Sequence, residues 1–351
     1  MSANASARDA VLVTGLHAVD NPSPGVSVAR CLRHEGVRVI GLCYEPTDTG
    51  AYVDGLFDRV YRMPRIEADP QAYLQRLHAV AAATGAGALL PTLDPEVAFL
   101  AGQERWLEQH GLRALLPTPS AAAQAAKWAI AEPGRTAGFR VPTLRTARTL
   151  DEALRAAEFI GFPVMVKGAF YEAHRAEQAD EIPALFRALA GRWGLPVLVQ
   201  AQAIGAEIVA ACLCDRPGRL RRWIAMRKFG MNEQGTTWCG VTFRNDSFFT
   251  ACERLLEILQ WSGPCEVEAK IDETSGMLTL LELNTRFPSW IGIATEVGSN
   301  LPFDLIRLLR GEPLDVDPGF RTGLVMVRQH HDRTIPLSRF VDVAVGGVLS
   351  V

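Results

Sequence analysis

Short apolar runs alternate with helical patterns through the first third of the chain, and this alternation restricts the fold more than any other feature. The apolar runs lie at residues 11–15, 37–44, 88–94 and 112–118. Helical patterns lie between them, at about residues 25–35, 70–84 and 95–110. Strands and helices that alternate in this way form a parallel sheet with helices on its faces. The sequence therefore predicts an α/β domain in this region.

Parallel sheets of this kind bind ligands at the carboxyl ends of their strands. The turn after the first run, GLHAVDNPSPG at residues 15–25, has no GxGxxG pattern, which argues against a nicotinamide dinucleotide and hence an NAD-dependent oxidoreductase. Asp94 and Glu96 directly follow another predicted strand. They could contact a substrate there, or they could cap the next helix, with Asp94 at the N-cap and Glu96 in the first turn.

The rest of the sequence divides into two further units. Between residues 119 and 200, helical patterns occur at about 120–131, 150–159 and 182–191. Strand-like runs of the same unit occur at 138–143, 161–168 and 195–200. The chain beyond is rich in strands, with one helix at about 248–260. Since 351 residues suit two or three domains, we predict an α/β domain and two α+β units, at 1–118, 119–200 and 201–351.

Composition argues against several classes of partner. The net charge is only −3, from 36 basic and 39 acidic residues, which argues against nucleic acid. Seven cysteines, an odd number without a CxxC pair, indicate reduced thiols and a cytoplasmic protein. No apolar run reaches the roughly 20 residues that span a bilayer. The first residues lack the basic and apolar segments of a signal peptide, so we expect no membrane partner.

The segment at 263–287 indicates a specific chemistry more clearly than any other part of the sequence. Its pattern predicts two strands joined by a turn. Glu266 and Glu268 share one face of the first strand, and Glu282 and Asn284 share one face of the second. A hairpin can bring Glu268, Glu282 and Asn284 together as oxygen ligands for Mg²⁺. Arg286 would point to the same side with a charge suited to phosphate. The alternative is a solvated polar face on an ordinary hairpin.

Two earlier segments carry weaker signals. Lys167 ends an apolar run, where its ammonium group could meet a phosphate or reach out to water. The stretch VLVQAQAIGAE, at 197–207, runs from a strand into a short linker. Its free backbone groups could pair with a purine edge, or the linker could be a plain connection between domains.

Taken in order, these three segments resemble the ATP-grasp superfamily, whose E-x-N-x-R motif is matched by ELNTRF. The resemblance implies nucleotide-binding roles for Lys127, Lys167, Gln200, Ala201, Ala203 and Glu207. It implies metal ligands at Glu268, Glu282 and Asn284. It also implies that Lys228 and Arg286 act on the phosphates during catalysis. The sequence departs from the family in having Gln200 where Glu is usual, and no glycine in AFYEAHRAEQAD after Gly168.

For the fold, the resemblance implies a pre-ATP-grasp domain, as in the biotin carboxylase and carbamoyl phosphate synthase branches, followed by a two-lobed ATP-grasp fold. For function, it implies a ligase that uses ATP with Mg²⁺ or Mn²⁺. Such an enzyme activates a carboxylate as an acylphosphate, joins it to an amine, and releases ADP and phosphate. The expected partners are a small-molecule carboxylate and an amine, and a homodimer is compatible with the resemblance. The alternative, favoured by the glycine-poor loop, is a regulatory nucleotide-binding protein without turnover.

The segment after the metal strand could form part of a substrate pocket. Phe287 and Trp290 could form its walls, and Ser289 could contact a carboxylate. The alternative is that these residues only pack beneath the site.

Overall fold

Three β-sheets organise the computed structural model, which describes residues 10–19, 22–215, 218–232 and 235–350. The first sheet, in the order β15-β3-β2-β1-β4, contains β1 (Ala10–Val13), β2 (Arg38–Cys43), β3 (Arg59–Arg62), β4 (Ala86–Leu90) and β15 (Val348–Ser350). The first four strands are parallel, as predicted, and β15 is antiparallel to β3. The last strand described therefore returns to the first sheet.

The helices beside this sheet are α1 (Gly25–His34), α2 (Pro70–Thr84), α3 (Asp94–Leu100) and α4 (Glu104–Gln109). In α2, the Asp69 carboxylate accepts from the Ala72 N–H, and Gly85 ends the helix in the left-handed region at φ 69°. The prediction of a single helix at 95–110 is wrong, because a turn at Gly102 interrupts the helix and separates α3 from α4. The strand predicted at 112–118 is also wrong. Only Arg113 bridges to Ala88, and Pro117 has no N–H to continue a ladder.

The second sheet is antiparallel in the order β5-β8-β6-β7. Its strands are β5 (Leu144–Ala147), β6 (Val164–Lys167), β7 (Ala173–Ala176) and β8 (Val197–Ala201). The helices of this region are α5 (Pro119–Ala125), α6 (Ala131–Thr136), α7 (Leu150–Ile160) and α8 (Ile182–Trp193). The helix predicted at 120–131 stops early, because Ala126 takes an extended ψ of 144°. The strand predicted at 138–143 is wrong, and there Arg140 only bridges to Thr279.

The third sheet is also antiparallel, in the order β13-β12-β9-β10-β11-β14. Its strands are β9 (Ala206–Cys214), β10 (Leu220–Met231), β11 (Thr237–Thr242), β12 (Gly263–Ile271), β13 (Leu278–Asn284) and β14 (Val325–Val327). The remaining α-helices described are α9 (Asp246–Ile258), α10 (Ala294–Val297), α11 (Leu301–Leu309) and α12 (Leu337–Val341).

Strand β9 is buried on both faces, which explains its continuous apolar run. Ile208 and Ala210 lie in the same core as Phe248 of α9. Val209 and Ala211, which point the other way, lie in the core formed with the first sheet and α11. All seven cysteines are free, as expected. Among the described helices, none has both the length and the apolar character to cross a membrane.

Candidate active site

The β12–β13 hairpin brings four polar side chains onto one face of the third sheet. Glu268 lies opposite Glu282, and Glu266 lies opposite Asn284. The Asn284 amide donates to Glu268 Oε1 at 2.9 Å and to Glu266 Oε2 at 3.1 Å. A register shift leaves Leu281 without a partner and turns Glu282 toward Glu268, while Leu280 stays in the core. The three predicted metal ligands therefore lie together.

Lysine side chains neutralise part of this carboxylate cluster. Lys127 Nζ lies 3.0 Å from Glu282 Oε2. Lys228 Nζ lies between Glu207 Oε1, at 2.6 Å, and Glu268 Oε2, at 2.8 Å. The carboxylates of Glu268 and Glu207 raise the pKa of Lys228 although burial opposes this, so it remains a cation.

The charge of the cluster is unevenly distributed. Burial and the neighbouring carboxylates raise the pKa of Glu268 to about 8, although Lys228 opposes the shift. Burial also acts to raise the pKa of Glu282, but the ammonium groups of Lys127 and Lys167 hold it at about 2. Glu282 is therefore ionised. Glu268 is repelled by the neighbouring carboxylates, and an added cation would relieve this repulsion.

This set of oxygen ligands fits a hard cation whose remaining ligands come from other molecules. Two carboxylates and an amide oxygen are ligands that Mg²⁺ accepts, and Mg²⁺ usually takes its other ligands from phosphates and water. Within the described ranges, no three Asp, Glu, His or Cys side chains form a metal site by themselves. Glu268, Glu282 and Asn284 would thus hold the ion together with a nucleotide.

Lys167 ends β6 and is only 8% exposed. Burial lowers its pKa, while Glu282 acts in the opposite direction. No carboxylate among the described residues forms an ion pair with it. A buried ammonium group without a close counter-ion is costly, so an entering phosphate group would stabilise it.

Arg286 follows the hairpin and is held by two carboxylates. Its Nε lies 3.2 Å from Asp94 Oδ2, and its Nη1 lies 3.4 Å from Glu266 Oε2. Asp94 Oδ1 also accepts from the Thr285 N–H at 2.8 Å and the Thr285 hydroxyl at 3.0 Å. The Asp94 and Glu266 carboxylates raise the pKa of Arg286 against the effect of burial. Asp94 therefore ties the first sheet to the strand that carries the motif.

These contacts decide between the two interpretations of the residues after β4. The Asp94 side chain makes no capping bond; the N-cap of α3 is Leu93. Glu96 accepts from the hydroxyls of Thr14 and Tyr44, the latter at 2.6 Å, and burial raises its pKa to about 7. Glu96 thus belongs to a buried network, and Asp94 contacts the site through Arg286.

The residues predicted to meet the purine lie along and just after β8. Gln200 is 4% exposed and borders a cavity of about 80 Å³ together with Lys127, Leu144 and Leu280. The Ala201 N–H already donates to the Thr143 carbonyl at 2.8 Å. Ala203 lies in the connection between β8 and β9, and Glu207 lies on β9 beside Lys228.

A short loop between β6 and β7 takes the place of the usual glycine-rich segment. The Gly168 N–H donates to the Glu172 carbonyl at 3.1 Å, which closes the loop. The Phe170 carbonyl accepts from Lys127 Nζ at 2.7 Å. The Tyr171 ring packs against Trp193, and its hydroxyl accepts from the Asp94 N–H at 3.1 Å. The loop therefore lies against the site.

A cavity of about 140 Å³ lies at the centre of these groups. Its charged walls are formed by Lys127, Lys228, Glu172, Glu266, Glu268, Glu282 and Arg286. Pro288, Ser289 and Trp290 form another part of its wall, where the sequence predicts a substrate pocket. Trp290 Nε1 donates to Glu266 Oε1 at 2.6 Å. Phe287 is buried in the core beneath, which agrees with the packing alternative for that residue.

Comparison with known proteins gives consistent results. Residues 195–331 match a family model described as ATP-grasp in the biosynthetic pathway with Ter operon. The structure is similar to the biotin carboxylase domain of 2-oxoglutarate carboxylase from Hydrogenobacter thermophilus, solved with MgADP and bicarbonate. That match has a TM-score of 0.68 at 17% identity and covers 90% of this chain and 73% of the other. The chain has the ATP-grasp fold.

Two other ATP-grasp structures are comparably similar. The ADP complex of N5-carboxyaminoimidazole ribonucleotide synthetase matches with a TM-score of 0.67 at 15% identity, over 91% of this chain and 81% of that one. L-amino acid ligase from Bacillus licheniformis matches with a TM-score of 0.63 at 15% identity, over 86% and 73%. A search of curated proteins found no match. The resemblance and the fold class inferred from the sequence are thus confirmed, while the domain boundaries and residue roles stay predictions.

Sequence reasoning named Glu266 and Asp94 but did not predict that either contacts Arg286. Glu266 shares a strand face with Glu268, so the alternation that selected Glu268 could have selected Glu266 as well. Asp94 follows a parallel strand at its carboxyl end, which marked it as a candidate without naming Arg286 as its partner. Both carboxylates pair with Arg286, and Glu266 also accepts from Asn284.

Proposed function

We propose that the protein is an ATP-dependent ligase that activates a carboxylate as an acylphosphate and joins it to an amine, releasing ADP and phosphate. The observation that carries the proposal is the cluster of Lys127, Lys228, Glu268, Glu282, Asn284 and Arg286 around one cavity. The similar structures support it, since they include a ligase, a synthetase and a biotin carboxylase domain, two of them solved with ADP.

The chemistry we propose has two steps. A carboxylate oxygen of the substrate attacks the γ-phosphorus of ATP, and ADP leaves with the electrons of the broken bond. An amine nitrogen then attacks the acyl carbon, phosphate leaves, and the nitrogen gives up a proton. Neither step needs a nucleophile from the protein, so the side chains act by position and charge.

Lys127, Lys228 and Arg286 would carry most of this electrostatic work. Bound Mg²⁺, or Mn²⁺, would supply positive charge at the phosphates between Glu268, Glu282 and Asn284. In the free protein, Lys127 is paired with Glu282, and Lys228 with Glu268. We infer that nucleotide entry separates these pairs, turning the lysines toward phosphates and leaving the carboxylates for the ion.

Hydroxylamine trapping tests the proposed chemistry. Added with ATP and an acid that supports turnover, hydroxylamine should yield a hydroxamate and an equal amount of ADP, because it attacks an acylphosphate as an amine does. The acid would be found by screening ADP release over a library of carboxylates and amines, with mass analysis of products. Formation of AMP and pyrophosphate would contradict an acylphosphate, since it places the reaction at the α-phosphate.

A second candidate is a regulatory nucleotide-binding protein. The loop from Gly168 to Glu172 favours it, because the loop itself binds groups of the site. The Phe170 carbonyl accepts from the Lys127 ammonium group, and the Tyr171 hydroxyl accepts from the Asp94 N–H. Tight binding of a non-hydrolysable ATP analogue without ADP release for any acid and amine pair would support this candidate over the ligase.

Lys167→Ala should weaken binding of a non-hydrolysable ATP analogue by about tenfold to a hundredfold, since a hydrogen bond to a charged group contributes about 1.5–3 kcal/mol. Calorimetry would measure the change. Lys270→Ala is the matched control, because Lys270 is the one lysine of the sequence for which we propose no contact with the nucleotide. Equal affinities for the wild type and the Lys167 variant would mean that this ammonium group reaches water instead of phosphate.

A further inference from the structure

Arg328 is a partly buried arginine that has no acidic partner among the described residues. It follows β14, and its N–H donates to the Trp238 carbonyl at 2.8 Å, which fixes the backbone. Its Nη2 donates to Ser289 Oγ at 3.1 Å. Its Nη1 is buried and has no hydrogen-bond partner. One side of the guanidinium is thus held and the other is unsatisfied.

Arg328 differs from two other buried arginines among the described residues, whose charges are compensated. Arg222 is 4% exposed and pairs with Asp304 at 2.8 Å, and Arg286 pairs with Asp94 and Glu266. Burial lowers the pKa of Arg328, and no carboxylate offsets this effect. A partly buried cation without a counter-ion destabilises the free protein, and an anion that enters beside it would relieve the cost.

Ser289 connects this arginine to the central cavity. It lines the cavity between Pro288 and Trp290. Its carbonyl accepts from the Ser27 hydroxyl at 2.8 Å, which holds the segment in place. Because Ser289 Oγ accepts from Arg328, its own proton remains available for a ligand. A hydroxyl donor next to a guanidinium is a pair of groups that suits a carboxylate.

We propose that Ser289 and Arg328 form a subsite for a substrate carboxylate that is not itself phosphorylated. This inference rests on the proposed ligase function, because the reacting carboxylate has to lie beside the phosphates, among Lys127, Glu282 and Arg286. The substrate class follows from it. Either the acid is a dicarboxylate, or the amine is an amino acid whose own carboxylate binds here.

Thermal unfolding without any ligand gives the first test, which needs no turnover. Arg328→Gln should raise Tm by about 2 °C, because it removes a partly buried charge that has no counter-ion and an enclosed N–H group that has no acceptor. The matched control, Arg222→Gln, should lower Tm, because it removes the shorter of the two ion pairs of the buried Asp304 and leaves that carboxylate only its 3.3 Å contact with Arg307. A fall in Tm for the Arg328 variant would overturn the proposal, since it would give Arg328 a structural role.

The second test compares each carboxylate with its amide at equal ionic strength. Succinate against succinamide probes a dicarboxylic acid, and L-alanine against L-alaninamide probes an amino acid. For at least one pair, the carboxylate should raise the Tm of the wild type above the value with the amide, and Arg328→Gln should lose this difference. The pair that responds identifies the source of the carboxylate. No difference in either pair, or an equal difference in the variant, would overturn the subsite.

These assays separate this inference from the ligase proposal. A carboxylate response that depends on Arg328, without ADP release for any acid and amine, would retain the subsite and contradict the ligase. ADP release together with an unchanged response in Arg328→Gln would retain the ligase and remove the subsite.

Discussion

Glu282→Gln is expected to abolish ADP formation while the protein stays folded. Glu282 is ionised, because Lys127 and Lys167 hold its pKa at about 2, and it lies opposite Glu268 on the hairpin. The amide removes the charge that would hold the metal ion, and it leaves Lys127 without its carboxylate partner. Loss of one preorganised electrostatic contact costs about 10²–10³ in kcat, and loss of a metal ligand should cost at least that much.

The measurement is ADP release at increasing Mg²⁺ concentration, with Tm recorded for each protein. Glu273→Gln is the matched control, because Glu273 belongs to the turn of the same hairpin, is 63% exposed and, within the part of the chain that the structure describes, pairs only with Arg227. A Glu282 variant that turns over near the wild-type rate at saturating Mg²⁺ would remove this residue from the metal site.

The hairpin could be predicted from the sequence because its information is local. Two strands of alternating polar and apolar residues, joined by a short turn, fix which side chains share a face. Asp272 accepts from the N–H groups of Thr274 and Ser275, and this stabilises the turn. The same argument placed Lys167 at the end of a strand, since a buried apolar run had to stop there.

Contacts between distant segments could not be predicted in the same way. Asp94 and Arg286 are separated by 192 positions, and their meeting depends on how the first sheet packs against the third. Strand β15 is only three residues long, which is too short for an alternation of polar and apolar residues to reveal the strand in the sequence, so its pairing with β3 could not be predicted. The extended backbone at Ala126 places Lys127 in a break between helices, although the alanine-rich sequence favours a continuous helix.

Asp94→Ala is expected to lower kcat by about 100-fold with a smaller effect on the KM for ATP, as loss of a supporting contact that orients a catalytic group typically costs 10–100-fold. In our proposal, Arg286 steadies the transferred phosphoryl group, and Asp94 is the residue that positions it. Without Asp94, the guanidinium keeps only contacts through Nη1, to Glu266 at 3.4 Å and to the Phe287 carbonyl at 3.3 Å, and its Nε is left without the carboxylate. Thr285 loses both of its bonds to the carboxylate.

Asp94→Asn separates positioning from stability. The asparagine oxygen can still accept from Thr285, so Tm should return toward the wild-type value. Its amide cannot accept from Arg286, so kcat should stay low. Asp69→Ala removes the cap of α2 in the same part of the chain and costs about 1 kcal/mol of stability. It should leave kcat unchanged. If Asp94→Asn and Asp94→Ala both kept the wild-type kcat, Glu266 and the Phe287 carbonyl would be enough to hold Arg286, and Asp94 would only join the two sheets.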